Sequence, residues 1–162
     1  MAAQPQMVMY EEEFKRISTA IERLVREASA KAIFLLDKNG QLIANAGETE
    51  DLDSTSIASL AAGNIAATGG LAKLIKEKEF SILFHEGEKN HLHISIVAQR
   101  VILMVIFDDR SSLGLVRLRV KKASEELTQI FEGLQAKMGA PGAQPSPFAE
   151  ITDDDIDNLF SE

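Results

Sequence analysis

Three strand-like apolar runs joined by very short connections constrain the fold of this 162-residue chain more than any other feature. The runs cover 80–85, 91–97 and 101–107, and only 87–90 and 98–100 are left as turns between them. Parallel neighbours need a crossover of about a dozen residues or more, so these strands are predicted to pair antiparallel. The last run is apolar at every position, which is typical of a central strand covered on both faces.

Two amphipathic helices are predicted from apolar residues that recur every three or four positions, over 10–28 and over 113–134. Ser111 or Ser112 is placed to cap the second of them. A third helix is predicted over 54–76, between the first two strands and the last three. The apolar stripe of the first helix consists of Phe14, Ile17, Ile21, Leu24 and Ala28.

A hairpin is predicted before the helix over 54–76. Asn39-Gly40 lies between the apolar runs 32–36 and 41–44, and this dipeptide is typical of a two-residue type I′ turn with two positive φ angles. The complete order is therefore α-β-β-α-β-β-β-α. It predicts an α+β fold with one five-stranded antiparallel sheet, the amphipathic helices on one face and the third helix on the other.

Charge and composition exclude several classes of protein. The formal charge is −8; six acidic residues and no basic one lie in 150–162, and the rest of the chain carries 19 acidic and 17 basic residues. A body this close to neutrality lacks the positive surface that nucleic-acid binding needs. The chain has no cysteine for disulfides or thiolate metal sites, and no apolar run reaches the ~18 residues of a membrane span. No signal peptide is recognised, so a cytoplasmic protein is expected.

One folded domain is predicted between peripheral segments. Residues 1–8 are polar and expected to be disordered, and the domain covers 9–138. Residues 139–149 contain three of the four prolines and are interpreted as a flexible linker. The acidic segment 150–162 has apolar residues spaced for a short helix that forms on binding, with a disordered solubility tail as the alternative.

The helix over 54–76 is rich in small residues. Of the 15 residues from 58 to 72, 11 are Ala, Gly, Ser or Thr, and the three glycines among them each cost about 1 kcal/mol relative to alanine inside a helix. Ala62, Ala66 and Gly70 are four residues apart, a spacing that lets another backbone approach closely. Two interpretations stay open: close packing on the chain's own sheet, or an exposed flat face that docks a partner.

The histidines allow a metal site as one interpretation. His91 and His93 share one face of a strand, and a metal would need a third ligand such as His85. Carboxylate or thiolate partners at ligand spacing are missing, which favours a solvated sheet edge instead.

Two charged groups are more typical of solvated surface than of catalysis. Asp108-Asp109-Arg110 ends the central strand, where catalytic carboxylates can lie. No nucleophile and base stand out elsewhere, so a polar loop and helix cap are favoured. A basic group in the last helix is either a solvated face or a docking patch for an acidic partner. This basic group consists of Arg117, Arg119, Lys121 and Lys122.

The sequence resembles the roadblock family of dynein-light-chain-like proteins, and among them the regulators of small bacterial Ras-like GTPases of the MglA type. The resemblance covers nearly the whole chain, and the small-residue helix and the acidic segment are its most specific parts. It rests on the motifs VMYEEEF (8–14), DKNGQLI (37–43), SLAAGNIAATGGLAKLI (59–75), FHEGEK (84–89), VILMVIFDDRSSLGLVRLRVKKASEEL (101–127) and SPFAEITDDDIDNLFSE (146–162).

The resemblance implies a homodimer. In the roadblock fold two subunits pair through the second helix and the third strand, so that their sheets become continuous. The residues expected at this interface are Ile65, Phe80, Ile82 and Phe84.

The resemblance also implies that one GTPase sits across the paired second helices of two subunits. The dimer would bind the GTP form and stimulate hydrolysis by repositioning the GTPase's own switch residues, without a catalytic arginine. The absence of Arg and Lys from 54–72 fits this implication. The positions expected at the GTPase surface are Ala62, Gly63, Ala66, Ala67, Gly69 and Gly70.

The acidic segment is implied to contact a separate surface of the GTPase and to tune nucleotide turnover, with Ile156, Leu159 and Phe160 as apolar anchors. The chain is expected to have no catalytic residue, metal or cofactor of its own, because the partner carries GTP or GDP and Mg²⁺. The resemblance further implies control of cell polarity and motility, in the cytoplasm and at a cell pole. Neither nucleic acid nor membrane is an expected partner.

Two alternatives belong to other functional classes. A roadblock- or PAS-like module could sense a small ligand or scaffold a complex without activating a GTPase. It would need an internal polar pocket, whereas the apolar strand over 101–107 favours a filled core. A metal-dependent enzyme that uses the histidines is the weakest alternative.

Overall fold

The computed structural model describes residues 5–138. Three helices and five strands follow one another in the predicted order, which confirms the α+β fold. The predictions for 139–149 and 150–162 lie outside the described residues. The elements are α1 (Pro5–Ala28), β1 (Ala32–Asp37), β2 (Leu42–Gly47), α2 (Ser54–Leu74), β3 (Ile82–Glu86), β4 (His91–Val97), β5 (Val101–Phe107) and α3 (Leu113–Met138).

The start of α1 differs from the prediction, and the start of α3 confirms it. Pro5 begins α1, so residues 5–8 are helical rather than disordered. Proline suits the first helical position because its missing N–H would have no partner there. At α3 the Ser112 hydroxyl accepts a hydrogen bond from the backbone N–H of Leu115 at 3.2 Å, as expected for an N-cap.

The five strands form one antiparallel sheet in the order β2-β1-β5-β4-β3. β5 lies at the centre, hydrogen-bonded to β1 on one side and β4 on the other. All of β5 is buried except Ile106, which is partly exposed, so the prediction of a central covered strand is confirmed. β2 and β3 are the edge strands of the sheet.

The helices are divided between the two faces of the sheet as predicted. α1 and α3 pack together on one face, where Leu24 and Leu127 join the core cluster of Leu103 and Phe107. α2 covers the other face, over the cluster that contains Phe34. Because side chains alternate along β5, this one strand supplies both clusters.

The hairpin between β1 and β2 is present, but its turn is not the predicted one. β1 ends at Asp37 and β2 begins at Leu42, and the Asp37 carboxylate accepts the N–H of Asn39 at 2.9 Å and of Gln41 at 3.0 Å. Within the turn only Gly40 has a positive φ, +91°. The prediction of a two-residue type I′ turn is therefore wrong, because the Asp37 side chain organises a longer loop.

Candidate functional site

Hydrogen bonds fix both ends of α2. Asp53 accepts the backbone N–H of Ser56 at 3.1 Å and its hydroxyl at 2.7 Å. These bonds lower the pKa of the Asp53 carboxyl, which keeps a negative charge at the positive end of the helix dipole. At the other end, the N–H groups of Ile75 and Glu77 donate to the Ala72 carbonyl at 3.2 and 2.8 Å.

The inner face of α2 consists of alanines that pack on the sheet. The β1–β2 turn lies against this face, because a Cβ placed on Gly40 would be 3.2 Å from the Ser59 Cα. The small residues of α2 predict that another backbone packs closely against the helix, and on this side that backbone is the chain's own β1–β2 turn. The buried residues of α2 are Ala58, Ala61, Ala62 and Ala72.

Ala62 belongs to the inner face, which corrects its expected place on an exposed surface. Its side chain is 8% exposed and joins the apolar cluster under α2. The physical reason is helix geometry: a step of four residues turns the helix by about 40° beyond a full turn. The line from Ala62 through Ala66 to Gly70 therefore drifts from the inner face to the outer one.

The outer side of α2 is open. Ala66 and Ala67 are exposed, and a Cβ added at Gly63, Gly69 or Gly70 would meet nothing within 4 Å. Gly63 and Gly70 are themselves exposed, whereas Gly69 is half-buried. No contact within residues 5–138 compensates for the helix propensity that these glycines lose.

Large apolar side chains flank the small residues on the same outer side of α2. Leu60 is 74% exposed, Leu71 60%, Leu74 81% and Ile75 64%. Leu60 and Leu71 point within about 60° of Ala67 on a 3.6-residue helix, so they border the small positions along the axis. We call the surface made by these four residues with Gly63, Ala66, Ala67 and Gly70 the α2 outer face.

The four large residues of the α2 outer face were not predicted from the sequence to be exposed. A signal was present: alanines at 58, 61, 62 and 72 define an inner stripe by themselves, and a helical wheel then places Leu60, Leu71 and Leu74 opposite to it.

β3 leaves one side of its backbone unpaired among residues 5–138, and the predicted interface residues lie around it. Ile82 is 50% and Phe84 39% exposed, and both point to the α1/α3 face, where Phe84 stacks on Phe107 at a centroid distance of 6.1 Å. Phe80 precedes the strand and is partly exposed. Ile65 belongs to α2 on the opposite face, where it packs partly buried against the cluster between the helix and the sheet. The four residues thus occupy both faces of this edge.

A polar contact joins α2 to β3. Asn64 Nδ2 lies 3.4 Å from His85 Nε2, and the Asn64 carbonyl accepts the Thr68 hydroxyl at 2.7 Å. Asn64 and Thr68 sit between the inner and outer sides of α2, so the helix and the edge strand form one continuous surface.

The three histidines do not converge on a metal position. His85 is on the α2 face, whereas His91 and His93 are on the α1/α3 face. Residues 5–138 contain no group of three or more side chains that could hold a metal ion. The solvated-edge interpretation is wrong for His93, which is 1% exposed because β4 is an inner strand.

The Asp108-Asp109-Arg110 segment forms a structural ion-pair network, which supports its interpretation as a polar loop. Arg110 donates to Asp108 at 3.0 Å and to Glu48 at 2.8 Å. The hydrogen bonds from Arg110 lower the pKa of the Asp108 carboxyl. The loop before α3 is thereby attached to the end of β2.

The α2 outer face is suited to binding rather than to reaction chemistry. It offers apolar area and backbone that a partner can approach closely, and it carries no nucleophile or titratable group. Contiguous exposed apolar surface of this kind is typical of protein–protein contact. None of the helices within residues 5–138 is long and apolar enough to cross a membrane.

A family model matches the greater part of the chain. The model of the Roadblock/LC7 domain aligns with residues 16–107. A search of curated proteins found no match.

Solved structures of MglB proteins match in sequence and in fold. Myxococcus xanthus MglB is 63% identical, with a TM-score of 0.74, over 76% of this chain and 92% of that one. The gliding protein MglB from Thermus thermophilus is 33% identical, with a TM-score of 0.71, over 75% and 92%. A third structure, described as MglB with tetrameric arrangement, is 32% identical, with the same TM-score and coverage.

Proposed function

Because the chain belongs to the Roadblock/LC7 family, and to the MglB proteins within it, we propose that it is a homodimeric GTPase-activating protein. Its partner is a small Ras-like GTPase of the MglA type, which the dimer binds in the GTP form. It acts in the cytoplasm and at a cell pole, in the control of polarity and motility.

The α2 outer face is the observation that carries this proposal. Gly63 and Gly70 have open space around them, and Leu71 and Leu74 leave 60% and 81% of their surface in solvent. The glycines lower the helix propensity and the leucines leave apolar area in solvent, so a partner that covers this one face would compensate for both losses. A GTPase lying across two such helices would supply the missing contacts.

Dimer formation is supported by the edge strand. The unpaired side of β3 can hydrogen-bond to β3 of a second subunit and make one continuous sheet. Ile82 and Phe84 would then be covered on the α1/α3 face, and Ile65 would lie on the other face, within the paired α2 helices. A related MglB forms a tetrameric arrangement, which is consistent with self-association.

Activation is proposed to work by positioning. Phosphoryl transfer is accelerated when loops, metal and attacking water are held in line, and a partner can order them without entering the reaction. α2 carries no Arg or Lys from Ser54 to Ala72, so this surface offers no arginine finger. Binding to the α2 outer face would instead hold the switch regions of the GTPase in their active arrangement.

The acidic segment 150–162 adds a second contact in the proposed complex. Ile156, Leu159 and Phe160 would anchor it to a separate surface of the GTPase and tune nucleotide turnover. Its length suits a helix that forms in the complex, because an isolated helix of about ten residues is marginal in water.

Single-turnover GTP hydrolysis tests the proposal. An MglA-type GTPase from the same genome is loaded with GTP, and phosphate release is followed with and without this protein. Ala66→Arg places a long charged side chain on the α2 outer face and is expected to reduce the rate to the intrinsic one. Ala136→Arg makes the same change at an exposed position of α3 and should activate like the parent.

Two results would contradict the proposal. One is phosphate release that the parent protein does not accelerate, and the other is activation by Ala66→Arg equal to that of the parent. Binding of the GTPase without faster hydrolysis would favour the scaffold alternative.

A further inference from the structure

A groove on the α1/α3 face is not used by the proposed GTPase surface. It lies between α3 and the outer part of the sheet and has a volume of about 820 Å³. Its floor is β4, one wall is α3, and its outer lip is the start of β3. The groove is lined by His93 and Ser95 on the floor, by Arg117, Lys121 and Glu125 on the wall, and by Ile82 on the lip.

The floor carries two polar side chains without partners. His93 is 1% and Ser95 5% exposed, and neither the ring nitrogens nor the hydroxyl has a hydrogen-bond partner within residues 5–138. Burial, together with the nearby Arg117, lowers the pKa of His93, so its ring is neutral at physiological pH. Buried polar atoms are nearly always satisfied in folded proteins, so two adjacent unsatisfied groups point to an occupant of the groove.

The wall carries two basic side chains and one acidic one, Glu125, and the rim is apolar. Arg117 and Lys121 are one helical turn apart, and neither forms an ion pair with a carboxylate of residues 5–138. Leu118 is 63% exposed at the rim, and Ile82 is 50% exposed at the lip. An occupant that fits this groove is acidic and carries large apolar side chains.

We propose that the occupant is the chain's own acidic segment, residues 150–162. Six of its 13 residues are acidic and none is basic, and it also contains Ile151, Ile156, Leu159 and Phe160. Its composition is thus the complement of the groove. Carboxylates would meet Arg117 and Lys121, and apolar side chains would cover Leu118 beside the Ile82 of the dimer edge, with backbone groups in reach of His93 and Ser95.

The connecting chain is long enough for this arrangement. Lys121 precedes the last described residue of α3, Met138, by 17 positions, which is about 26 Å of helix at 1.5 Å per residue. The 11 residues of 139–149 span up to about 36 Å when extended. Segment 150–162 can therefore reach back along α3 to the groove of its own subunit.

Docking in the groove does not depend on the proposed function, but it has a consequence for it. If the same segment contacts the GTPase, it must first leave the groove. The groove would then compete with the GTPase for one segment, and in the resting protein Arg117 and Lys121 would pair with part of its acidic charge. A test on the protein alone separates the two ideas, because it contains no GTPase.

Paramagnetic broadening in the full-length chain tests the docking. The chain has no cysteine, so a nitroxide on Ser161→Cys marks the acidic segment uniquely. Amide signals of 93–95 and 117–128 should lose the most intensity, and those of 58–72, on the opposite face of the sheet, should lose much less. Dilution of labelled, ¹⁵N-enriched chains into unlabelled chains should leave the loss unchanged, since each segment docks in its own subunit.

Charge reversal supplies the matched comparison. Arg117→Glu with Lys121→Glu should restore the signals of 93–95, because the segment is then repelled. Lys73→Glu with Lys76→Glu makes the same change of charge in the last turn of α2 and just beyond it, and should leave the broadening intact. Dispersed spectra of both variants would show that each is folded.

Three outcomes would overturn the proposal. The first is an absence of broadening in the groove at physiological ionic strength, where remote surface attraction is screened. The second is broadening that Arg117→Glu with Lys121→Glu does not reduce. The third is broadening that disappears on dilution with unlabelled chains, which would assign the groove to a second copy.

Discussion

Replacing two outer glycines of α2 with alanine should make the protein more stable and less active. Gly63 and Gly70 lie within the helix, and a Cβ added at either position meets nothing within 4 Å. Each substitution therefore gains helix propensity without a steric cost in the chain itself. On the α2 outer face, however, each added methyl group keeps a partner backbone farther away.

The size of the stability gain follows from the open space. Glycine costs about 1 kcal/mol relative to alanine in an exposed helix interior, so Gly63→Ala with Gly70→Ala should gain about 2 kcal/mol. In a chain of this size that corresponds to a rise in Tm of about 4–8 °C. Urea denaturation measures the free energy of unfolding. The protein concentration is held fixed, because the stability of a dimer depends on it.

Gly133→Ala is the matched control. Gly133 lies within α3, is exposed and also has nothing within 4 Å of an added Cβ. It should gain about 1 kcal/mol from the same cause and activate GTP hydrolysis like the parent. The glycines of α2 differ from it only in the surface on which they lie.

Two results for the double variant would contradict this prediction. A double variant less stable than the parent would show that the space around Gly63 and Gly70 is occupied in the protein that unfolds. A double variant that is more stable and activates hydrolysis at the parent rate would show that the GTPase does not approach these positions closely.

Three further predictions concern packing, capping and pH. Ala62→Arg places a charge in the buried cluster under α2 and should unfold the protein or lower its Tm strongly. The Ala66→Arg variant should unfold near the temperature of the parent protein, and thermal denaturation compares the two. Asp53→Ala removes the cap of α2 and should cost about 1 kcal/mol in urea unfolding, while Asp53→Asn should retain most of it. The pKa of His93 is lowered in the folded chain, so the unfolded chain takes up the proton first, and the unfolding free energy should fall as the pH drops below 6.5. His93→Gln should reduce that slope, and an unchanged slope between the two proteins would refute the assignment.

The order of elements was predictable because it depends on short-range constraints. Turns of three or four residues leave only antiparallel pairing for β3, β4 and β5, and a strand as apolar as β5 can only be central. The Ser112 cap also follows from local chemistry. Each of these features can be read within a window of a few residues.

Features that depend on helix phase were harder to predict. α2 carries small or apolar residues on both its inner and its outer side, so only the stripe of buried alanines marks the inner side, and Ala62 was expected on the outer one. In α1 the phase also shifts: Phe14 is 51% exposed, and Glu13 is buried instead, paired with Lys137 of α3 at 2.6 Å. An ion pair across 124 residues of sequence leaves no local signal.

The groove could not be inferred from the sequence because its parts are distant along the chain. His93 and Arg117 come together only when α3 lies across β4, and the pattern of either segment alone is that of an ordinary strand or helix. The sequence predicts the basic group of α3 but not which of its side chains face the groove. Arg117 and Lys121 line the groove, whereas Lys122 does not.

The contact between Gly40 and α2 gives the β1–β2 hairpin a mechanical role. Gly40 lies in the turn of the hairpin, and a Cβ added there would be 3.5 Å from the Ala62 Cβ, so the turn packs directly against α2. The hairpin is at the edge of the sheet opposite to β3. A larger residue at position 40 would press against α2 and displace the helix. The α2 outer face would then change shape through a residue that lies outside it.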